Sequence, residues 1–235
     1  MLKQAVILAG GLGLRLRPIT ENSPKVMVNL GERSLAEWQI SWLSNYGLEK
    51  LIFAVGYKWE KIKDFFSDNY KGISIQYSVE EEPLGTGGAI KKALKFCEED
   101  SVMILNGDVL TDMNPLEMLD WHRRLEALAT IMIVPFVSPY GIVEVSPRGK
   151  VKRFVEKPII PNVYINGGVY ILNHDIIKYL PDKGDVEKET FPLLSEKGLL
   201  AAFPHEGFWR SIDTKKDLDA LEKEIQELRK RLHFE

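Results

Sequence analysis

The residues best suited to chemistry in this 235-residue chain follow its first apolar segment. That segment, residues 5–8, is a short continuous apolar run of the kind found in buried strands of parallel sheets. The loop after it contains three glycines, Gly10, Gly11 and Gly13. Without Cβ atoms such a loop allows a nucleotide to approach, and its backbone N–H groups suit a polyphosphate. Arg15 and Lys25 add positive charge, the first as a planar fork and the second as a point charge.

A carboxylate occupies a similar place after another apolar segment. Asp108 follows residues 102–105 and the pair Asn106-Gly107. Because ligands of open α/β sheets bind at the carboxyl ends of the strands, we expect Asp108 to lie beside the glycine loop. Mg²⁺ is usually held by one or two carboxylates together with phosphate and water oxygens. From the strand alone, an aspartate that caps the next turn is an equal alternative.

The first half of the chain alternates between strand and helix patterns. Strands are predicted at residues 5–8, 51–55, 73–77 and 102–105, and helices at 34–46, 58–70 and 89–98. A second glycine loop, residues 83–88, is expected to lead into the last of these helices. This alternation predicts a doubly wound sheet.

The second half has a different rhythm. It predicts a helix at 115–126, strands at 130–134 and 163–172, and a hairpin at 141–145 and 151–155. The tail, residues 214–232, carries leucines at helical spacing. Those leucines are expected to pack back on the domain, and the alternative is a coiled-coil contact in a homo-oligomer.

Composition excludes several classes of protein. A net charge of −3 gives no reason to expect a nucleic-acid partner. No apolar run approaches the roughly 20 residues that cross a bilayer, and the first residues lack the pattern of a secretory signal, so no membrane partner is expected. The single cysteine, Cys97, cannot form an internal disulfide and is expected in the core. These features predict a cytoplasmic protein. The four histidines do not have the spacing of zinc ligands.

The first glycine loop, continued by Ser23-Pro24-Lys25, resembles the opening signature of the sugar-1-phosphate nucleotidylyltransferases, also called nucleotide-sugar pyrophosphorylases. The resemblance extends from residue 4 to about residue 220 and includes Glu156-Lys157-Pro158. It implies a single α/β domain with a Rossmann-like mixed central sheet and helices on both faces. Within it, residues 1–112 would form a nucleotide-binding half, 113–213 a sugar-phosphate-binding half and 214–235 a C-terminal helix. The implied reaction joins an NTP and a sugar 1-phosphate to give an NDP-sugar and pyrophosphate.

The same resemblance implies a role for each motif residue. Catalysis would fall to Arg15, Lys25, Asp108 and Lys157. The nucleotide would be bound by Leu8, Ala9, Gly10, Gly11, Gly13, Arg15, Glu80, Pro83, Gly85, Thr86 and Gly107. The sugar phosphate would be bound by Gly141, Glu156, Lys157, Asn166, Gly167 and Trp209. Mg²⁺ would be held by Asp108 and Asp213, although Asp213 has the alternative role of capping the C-terminal helix.

The motifs point to more than one base and sugar. Glu80 offers only acceptors, which suits the N–H donors of guanine or cytosine. Residues 82–89 resemble the mannose- and heptose-1-phosphate guanylyltransferases, whereas residues 209–214 resemble glucose-1-phosphate cytidylyltransferases. Guanylyl transfer is favoured, with cytidylyl, thymidylyl or uridylyl transfer to glucose 1-phosphate as alternatives. Leu14 stands where the family usually has Thr, and Ser211 stands where it often has Asp. These departures leave an alternative function open, that of a regulatory protein that binds nucleotide sugars without catalysis.

Overall fold

The protein, seen in a computed structural model that describes residues 2–231, is built around an eight-stranded mixed sheet. Its strands are β1 (Gln4–Ala9), β2 (Asn29–Leu30), β3 (Arg33–Ser34), β4 (Lys50–Val55), β5 (Asn69–Tyr70), β6 (Ile73–Val79), β7 (Ser101–Asn106), β8 (Val109–Thr111), β9 (Ala129–Val137), β10 (Ile142–Val145), β11 (Val151–Val155), β12 (Ile159–Asn173), β13 (Leu200–Pro204) and β14 (Trp209–Ser211). The large sheet has the order β13-β9-β12-β7-β1-β4-β6-β5.

Seven α-helices accompany these strands in the described part of the chain. They are α1 (Leu35–Ser44), α2 (Glu60–Phe66), α3 (Gly85–Ala93), α4 (Pro115–Arg124), α5 (Thr190–Glu196), α6 (Lys215–Lys223) and α7 (Ile225–Arg231). Short 3-10 turns lie at Leu14–Leu16, Lys25–Met27, Leu94–Phe96 and His174–Lys178. No helix within residues 2–231 has the length and apolar character needed to cross a membrane.

β1 lies at the centre of the sheet and runs parallel to both neighbours, β4 and β7. Successive side chains of β1 point to opposite faces, so that Ile7 packs in one apolar layer and Val6 in the other. Trp38 of α1 belongs to the first layer and Ile90 of α3 to the second. Because both faces are covered, the strands read as continuous apolar runs. The predicted single α/β domain with a mixed sheet and helices on both faces is confirmed.

Two strands that the sequence patterns did not predict bring distant parts of the chain together. β8 pairs antiparallel with β14, although almost a hundred residues separate them. Beside this pair the backbone N–H of Ile212 donates to the carbonyl of Asp108 at 2.9 Å. The pairing therefore sets the residues after β7 next to those after β14. These strands of three residues each are too short to give a legible periodic pattern.

Several predicted helix boundaries are wrong. The helix expected at 58–70 is confined to α2, because Ser67 has a φ of 52° that ends it and β5 follows. The predicted tail helix is divided into α6 and α7 at Glu224. Its leucines at 218, 221 and 228 are buried in the core of the same chain, which confirms the expected packing. Leu232 and the rest of residues 232–235 lie outside the described part.

The second glycine segment is not a loop, because α3 already begins at Gly85. A Cβ at Gly88 would lie 2.5 Å from the carbonyl oxygen of Asp182, and one at Gly87 would lie 2.8 Å from Cγ of Pro181. These glycines thus let the helix pack closely against residues 181–184. The helix ends earlier than predicted, so Cys97 follows a 3-10 turn, but it is buried as expected and burial raises its pKa to about 11.

We expect Gly88→Ala to destabilise the protein by at least about 1 kcal/mol in urea denaturation. Alanine favours a helix over glycine by roughly 1 kcal/mol, but the Asp182 carbonyl is backbone and cannot swing away from the new methyl group. Gly11→Ala is the matched control, since a Cβ there meets nothing within 4 Å, and its effect should stay within about 0.5 kcal/mol. Equal stability of the two variants would contradict the close packing of α3.

We also expect a pH-dependent contribution from His122, a buried residue of α4 whose Nδ1 lies 2.8 Å from Oγ1 of Thr130. Burial lowers its pKa from 6.5 to about 4, with a smaller contribution from the charge of Arg123. Between these pH values the unfolded chain binds the proton and the folded chain does not. Stability should therefore fall as the pH falls through this window, by a total on the order of 3 kcal/mol.

Urea denaturation of His122→Gln at pH 7 and at pH 4.5 isolates this contribution, because glutamine can still reach Thr130 but does not titrate. The variant should lose less stability on acidification than the wild type. Parallel losses in the two proteins would show that His122 does not contribute.

Candidate active site

A cavity of about 360 Å³ opens at the carboxyl ends of β1, β4 and β7. In the sheet, β4 lies on one side of β1 and β7 lies on the other. The strand order therefore reverses beside β1, and the cavity lies at this topological switch point. Its lining is formed by Leu8, Ala9, Gly10, Gly11, Lys25, Val26, Ala54, Glu80, Pro83, Gly85, Thr86, Ala89, Asn106, Gly107, Asp108 and Asp185.

All the residues predicted to bind the nucleotide line this cavity except Gly13 and Arg15. Gly13 has a left-handed φ of 60°, precedes the 3-10 turn at Leu14–Leu16, and accepts a hydrogen bond from the Thr20 hydroxyl at 2.7 Å. Glycine at this position is therefore explained by the left-handed backbone conformation of the loop and not by contact with the cavity. Arg15 extends to the edge of the cavity, where it meets Asp213.

The sequence analysis did not assign five of the lining residues to the site: Val26, Ala54, Ala89, Asn106 and Asp185. Ala54 and Asn106 lie at the carboxyl ends of predicted strands, and Val26 directly follows Lys25. Their places in the sequence could therefore have indicated that all three line the cavity. Asp185 belongs to a segment that lies against α3 only in the folded protein. No local sequence pattern therefore indicates that Asp185 lines the cavity.

Glu80 lies close to Gly10, and both residues line the cavity. A Cβ at Gly10 would be 2.8 Å from Oε1 of Glu80, so a side chain at position 10 would displace the carboxylate. The other oxygen, Oε2, accepts from the backbone N–H of Leu84 at 2.9 Å. Burial raises the pKa of Glu80, against the lowering effects of the Leu84 hydrogen bond and the charge of Lys92. The cavity thus contains a partly desolvated carboxyl group at a fixed position.

Four charged side chains form a cluster at the end of the cavity. The ammonium of Lys25 donates to Oδ2 of Asp108 at 2.6 Å and to Oδ1 of Asp213 at 2.8 Å. The guanidinium of Arg15 donates to the same Oδ1 of Asp213 at 2.8 Å. Burial alone would raise the pKa of Asp213, but its hydrogen bond and charge interaction with Lys25, together with the charge of Arg15, bring it below its usual value. Asp213 is held as a carboxylate.

The alternative role of Asp213 as a helix cap is excluded, because the N-cap of α6 is Thr214. The Thr214 side chain accepts from the N–H of Asp217, and the carboxylate of Asp217 accepts from the N–H of Thr214 at 2.8 Å in a capping box. The Asp213 side chain is therefore available to the charged cluster.

The cluster has the donor set of a two-carboxylate metal site. Residues 2–231 contain no group of three or more His, Cys, Asp or Glu arranged to hold a metal. Mg²⁺ normally takes only one or two protein carboxylates and completes its coordination with phosphate and water oxygens. Asp108 and Asp213, which already share one cation, fit this requirement.

None of the residues predicted to bind the sugar phosphate belongs to the lining of this cavity. Glu156 and Lys157 are exposed after β11, and a Cβ at Gly141 would lie 2.8 Å from Oε2 of Glu156. Trp209 donates from its indole to the carbonyl of Gly167 at 2.8 Å. The structure thus forms two small groups, Gly141 with Glu156 and Gly167 with Trp209.

Asn166 connects the second group to the cavity. Its side chain donates to the hydroxyl of Tyr170 at 2.9 Å and accepts from the N–H of Gly168 at 2.8 Å. Gly168 has a φ of 70°, and a Cβ there would be 2.9 Å from Nδ2 of Asn106, which lines the cavity.

Lys157 does not join the charged cluster, in which Asp108 and Asp213 pair with Lys25 and Arg15.

Known proteins resemble this chain in sequence. A mannose-1-phosphate guanyltransferase from Saccharomyces cerevisiae is 37% identical over 225 residues, which cover 91% of this chain and 62% of the yeast protein. A D-glycero-alpha-D-manno-heptose 1-phosphate guanylyltransferase from Aneurinibacillus thermoaerophilus is 35% identical over 227 residues, covering 95% of this chain and 98% of that protein. The chain therefore spans less than two thirds of the fungal relatives and nearly all of the bacterial one.

The fold and the family agree with these similarities. The crystal structure of HddC from Yersinia pseudotuberculosis matches with a TM-score of 0.77 and 29% identity, covering 95% of this chain and 100% of that one. The same protein complexed with GMP-PN matches with a TM-score of 0.76. The family described as Nucleotidyl transferase matches residues 4–227, which confirms the resemblance drawn from the glycine loop. This chain belongs to the nucleotidyl transferase family.

Proposed function

We propose that this chain transfers a guanylyl group from GTP to mannose 1-phosphate or a heptose 1-phosphate in the presence of Mg²⁺. A phosphate oxygen of the sugar phosphate attacks the α-phosphorus of GTP, and pyrophosphate leaves from the opposite side. The products are a GDP-sugar and pyrophosphate. The observation that carries the proposal is the sharing of Lys25 between Asp108 and Asp213 at the end of the cavity that the predicted nucleotide-binding residues line.

The charged cluster is suited to this reaction because it is balanced before the substrates bind. Arg15 and Lys25 neutralise Asp108 and Asp213. When the phosphates of GTP and the sugar enter, the two cations stabilise their negative charge, and the two carboxylates are free to hold a metal ion. Bound there, Mg²⁺ would neutralise phosphate charge and orient the oxygens. Phosphoryl transfer needs little covalent help from the protein, so positioning and charge account for most of the rate.

Different residues recognise the base and the sugar. Glu80 presents acceptors that match the N1–H and N2–H donors of guanine, and relatives over most of the chain are named guanylyltransferases. Glu156 and Asn166 supply polar groups for sugar hydroxyls, with Gly141, Gly167 and Trp209 shaping that surface. Lys157 is exposed and can reach for the phosphate of the sugar.

The central test is pyrophosphate release with Mg²⁺, with four NTPs and dTTP crossed against a panel of sugar 1-phosphates. GTP with mannose 1-phosphate or heptose 1-phosphate should give the fastest release. Asp108→Asn should lower kcat by at least about a hundredfold, because it removes a negative ligand and unbalances Lys25. Asp120→Asn, an exposed aspartate on α4, is the matched control and should retain full activity.

Other outcomes of this panel identify the alternatives. Fastest release with CTP, UTP or dTTP and glucose 1-phosphate would overturn the assignment of base and sugar. No pyrophosphate with any pair, while a GDP-sugar still binds in calorimetry, would instead establish the regulatory, non-catalytic protein.

A second test addresses the base. Glu80→Gln replaces one acceptor by a donor that opposes the guanine N–H groups, and it should weaken GTP binding by about 1–3 kcal/mol, or roughly fivefold to 150-fold in Kd. Glu81→Gln makes the same change at the exposed neighbouring position and should leave the Kd unchanged. Equal affinity for GTP in the two variants, measured by calorimetry, would exclude Glu80 as the residue that reads the base.

A further inference from the structure

Glu187 lies between the cavity and the sugar-side residues, in a segment that none of the recognised motifs includes. This segment, residues 184–187, belongs to the second half of the chain and packs against the first turn of α3. Gly184 donates its N–H to the carbonyl of Leu84 at 2.8 Å and accepts from the N–H of Gly87 at 2.9 Å. The N–H of Val186 donates to the hydroxyl of Thr86 at 3.0 Å. Residue 187 is therefore held at a fixed distance from the cavity.

The carboxylate of Glu187 accepts two hydroxyl hydrogen bonds, one on each of its oxygens. Thr86, which lines the cavity, donates from Oγ1 to Oε2 at 2.5 Å. Tyr170, which is fully buried, donates from its hydroxyl to Oε1 at 3.3 Å. The Tyr170 oxygen in turn accepts from Nδ2 of Asn166 at 2.9 Å. One carboxylate thus links a residue of the nucleotide cavity to a residue predicted to bind the sugar.

The direction of each hydrogen bond follows from the chemistry of Glu187. An ionised carboxylate only accepts, so the single protons of the Thr86 and Tyr170 hydroxyls must both point toward it. The Tyr170 oxygen then has only lone pairs to offer, which selects the NH₂ end of the Asn166 amide. The carbonyl end of Asn166 is consequently turned toward the N–H of Gly168. Glu187 therefore fixes both the Thr86 hydroxyl and the orientation of the Asn166 amide.

We propose that Glu187 is a positioning residue that couples binding of the nucleotide to binding of the sugar phosphate. The hydrogen bonds run without a break from Thr86 through Glu187 and Tyr170 to Asn166. A ligand that displaces the Thr86 hydroxyl therefore changes the positions offered to the second ligand, and the reverse holds by linkage. This inference rests on the proposed function, because it assumes that the two substrates occupy the two ends of this chain of hydrogen bonds.

The test measures coupling by calorimetry, with mannose 1-phosphate titrated in the absence and presence of guanylyl imidodiphosphate. In the wild type the analogue should tighten binding of the sugar phosphate at least about fivefold. Glu187→Gln keeps the shape but puts a donor against one hydroxyl, and Tyr170→Phe removes the link to Asn166. Both should reduce the coupling to less than about twofold. Tyr170→Phe should still bind the analogue alone, with a Kd within about tenfold of the wild-type value, which a general loss of structure would not allow.

Glu196→Gln is the matched control, since Glu196 is an exposed carboxylate in the same region of the sequence, and it should show wild-type coupling. Independent binding of the two ligands to the wild type, or unchanged coupling in Glu187→Gln, overturns the inference. The proposed function is judged separately by pyrophosphate release from the wild type. A wild type that turns over while its two ligands bind independently overturns only the role of Glu187.

Discussion

The site depends on a single ammonium group that two carboxylates share. Lys25 comes from the segment after β1, Asp108 from the segment after β7 and Asp213 from the segment after β14. Neither carboxylate could stay close to the other without a cation between them, because like charges at short distance repel strongly in a partly buried site. The cluster therefore joins the segments that follow β1, β7 and β14. A phosphate-bound metal ion would meet the same electrostatic need.

The fold supplies the geometry through backbone contacts that are independent of these charges. The hydrogen bond between Ile212 and Asp108 and the pairing of β8 with β14 hold the two aspartates at adjoining ends of paired strands, Asp108 before β8 and Asp213 after β14. Thr214 caps α6, which leaves the preceding side chain of Asp213 directed to the cluster. A short unpredicted sheet and a helix cap thus place the second carboxylate, whereas the first emerges from the end of β7.

The glycines of the second motif have a role that differs from those of the first. In the first loop, Gly10 leaves room for the carboxylate of Glu80. In α3, Gly87 and Gly88 instead allow residues 181–184 to approach the helix backbone. That approach delivers Asp185 to the cavity and Glu187 to Thr86. Glycine therefore makes room for a carboxylate of the cavity in one place and for a packed segment of the same chain in the other. Only the second contact connects the two halves of the site.

The sequence by itself determined the class of fold, the family and most of the cavity lining. The apolar runs at β1, β4 and β7 and the residues that follow them are local features, and a strand that ends in a parallel sheet delivers its next residues to a known edge. The tertiary structure alone decided the bond between Asp213 and Lys25, the link from Glu187 to Thr86 and Tyr170, and the break between α6 and α7. Each joins positions far apart in the chain or depends on a packing contact. No local periodicity encodes such contacts, because their free energy comes from groups that meet only after the sheet has formed.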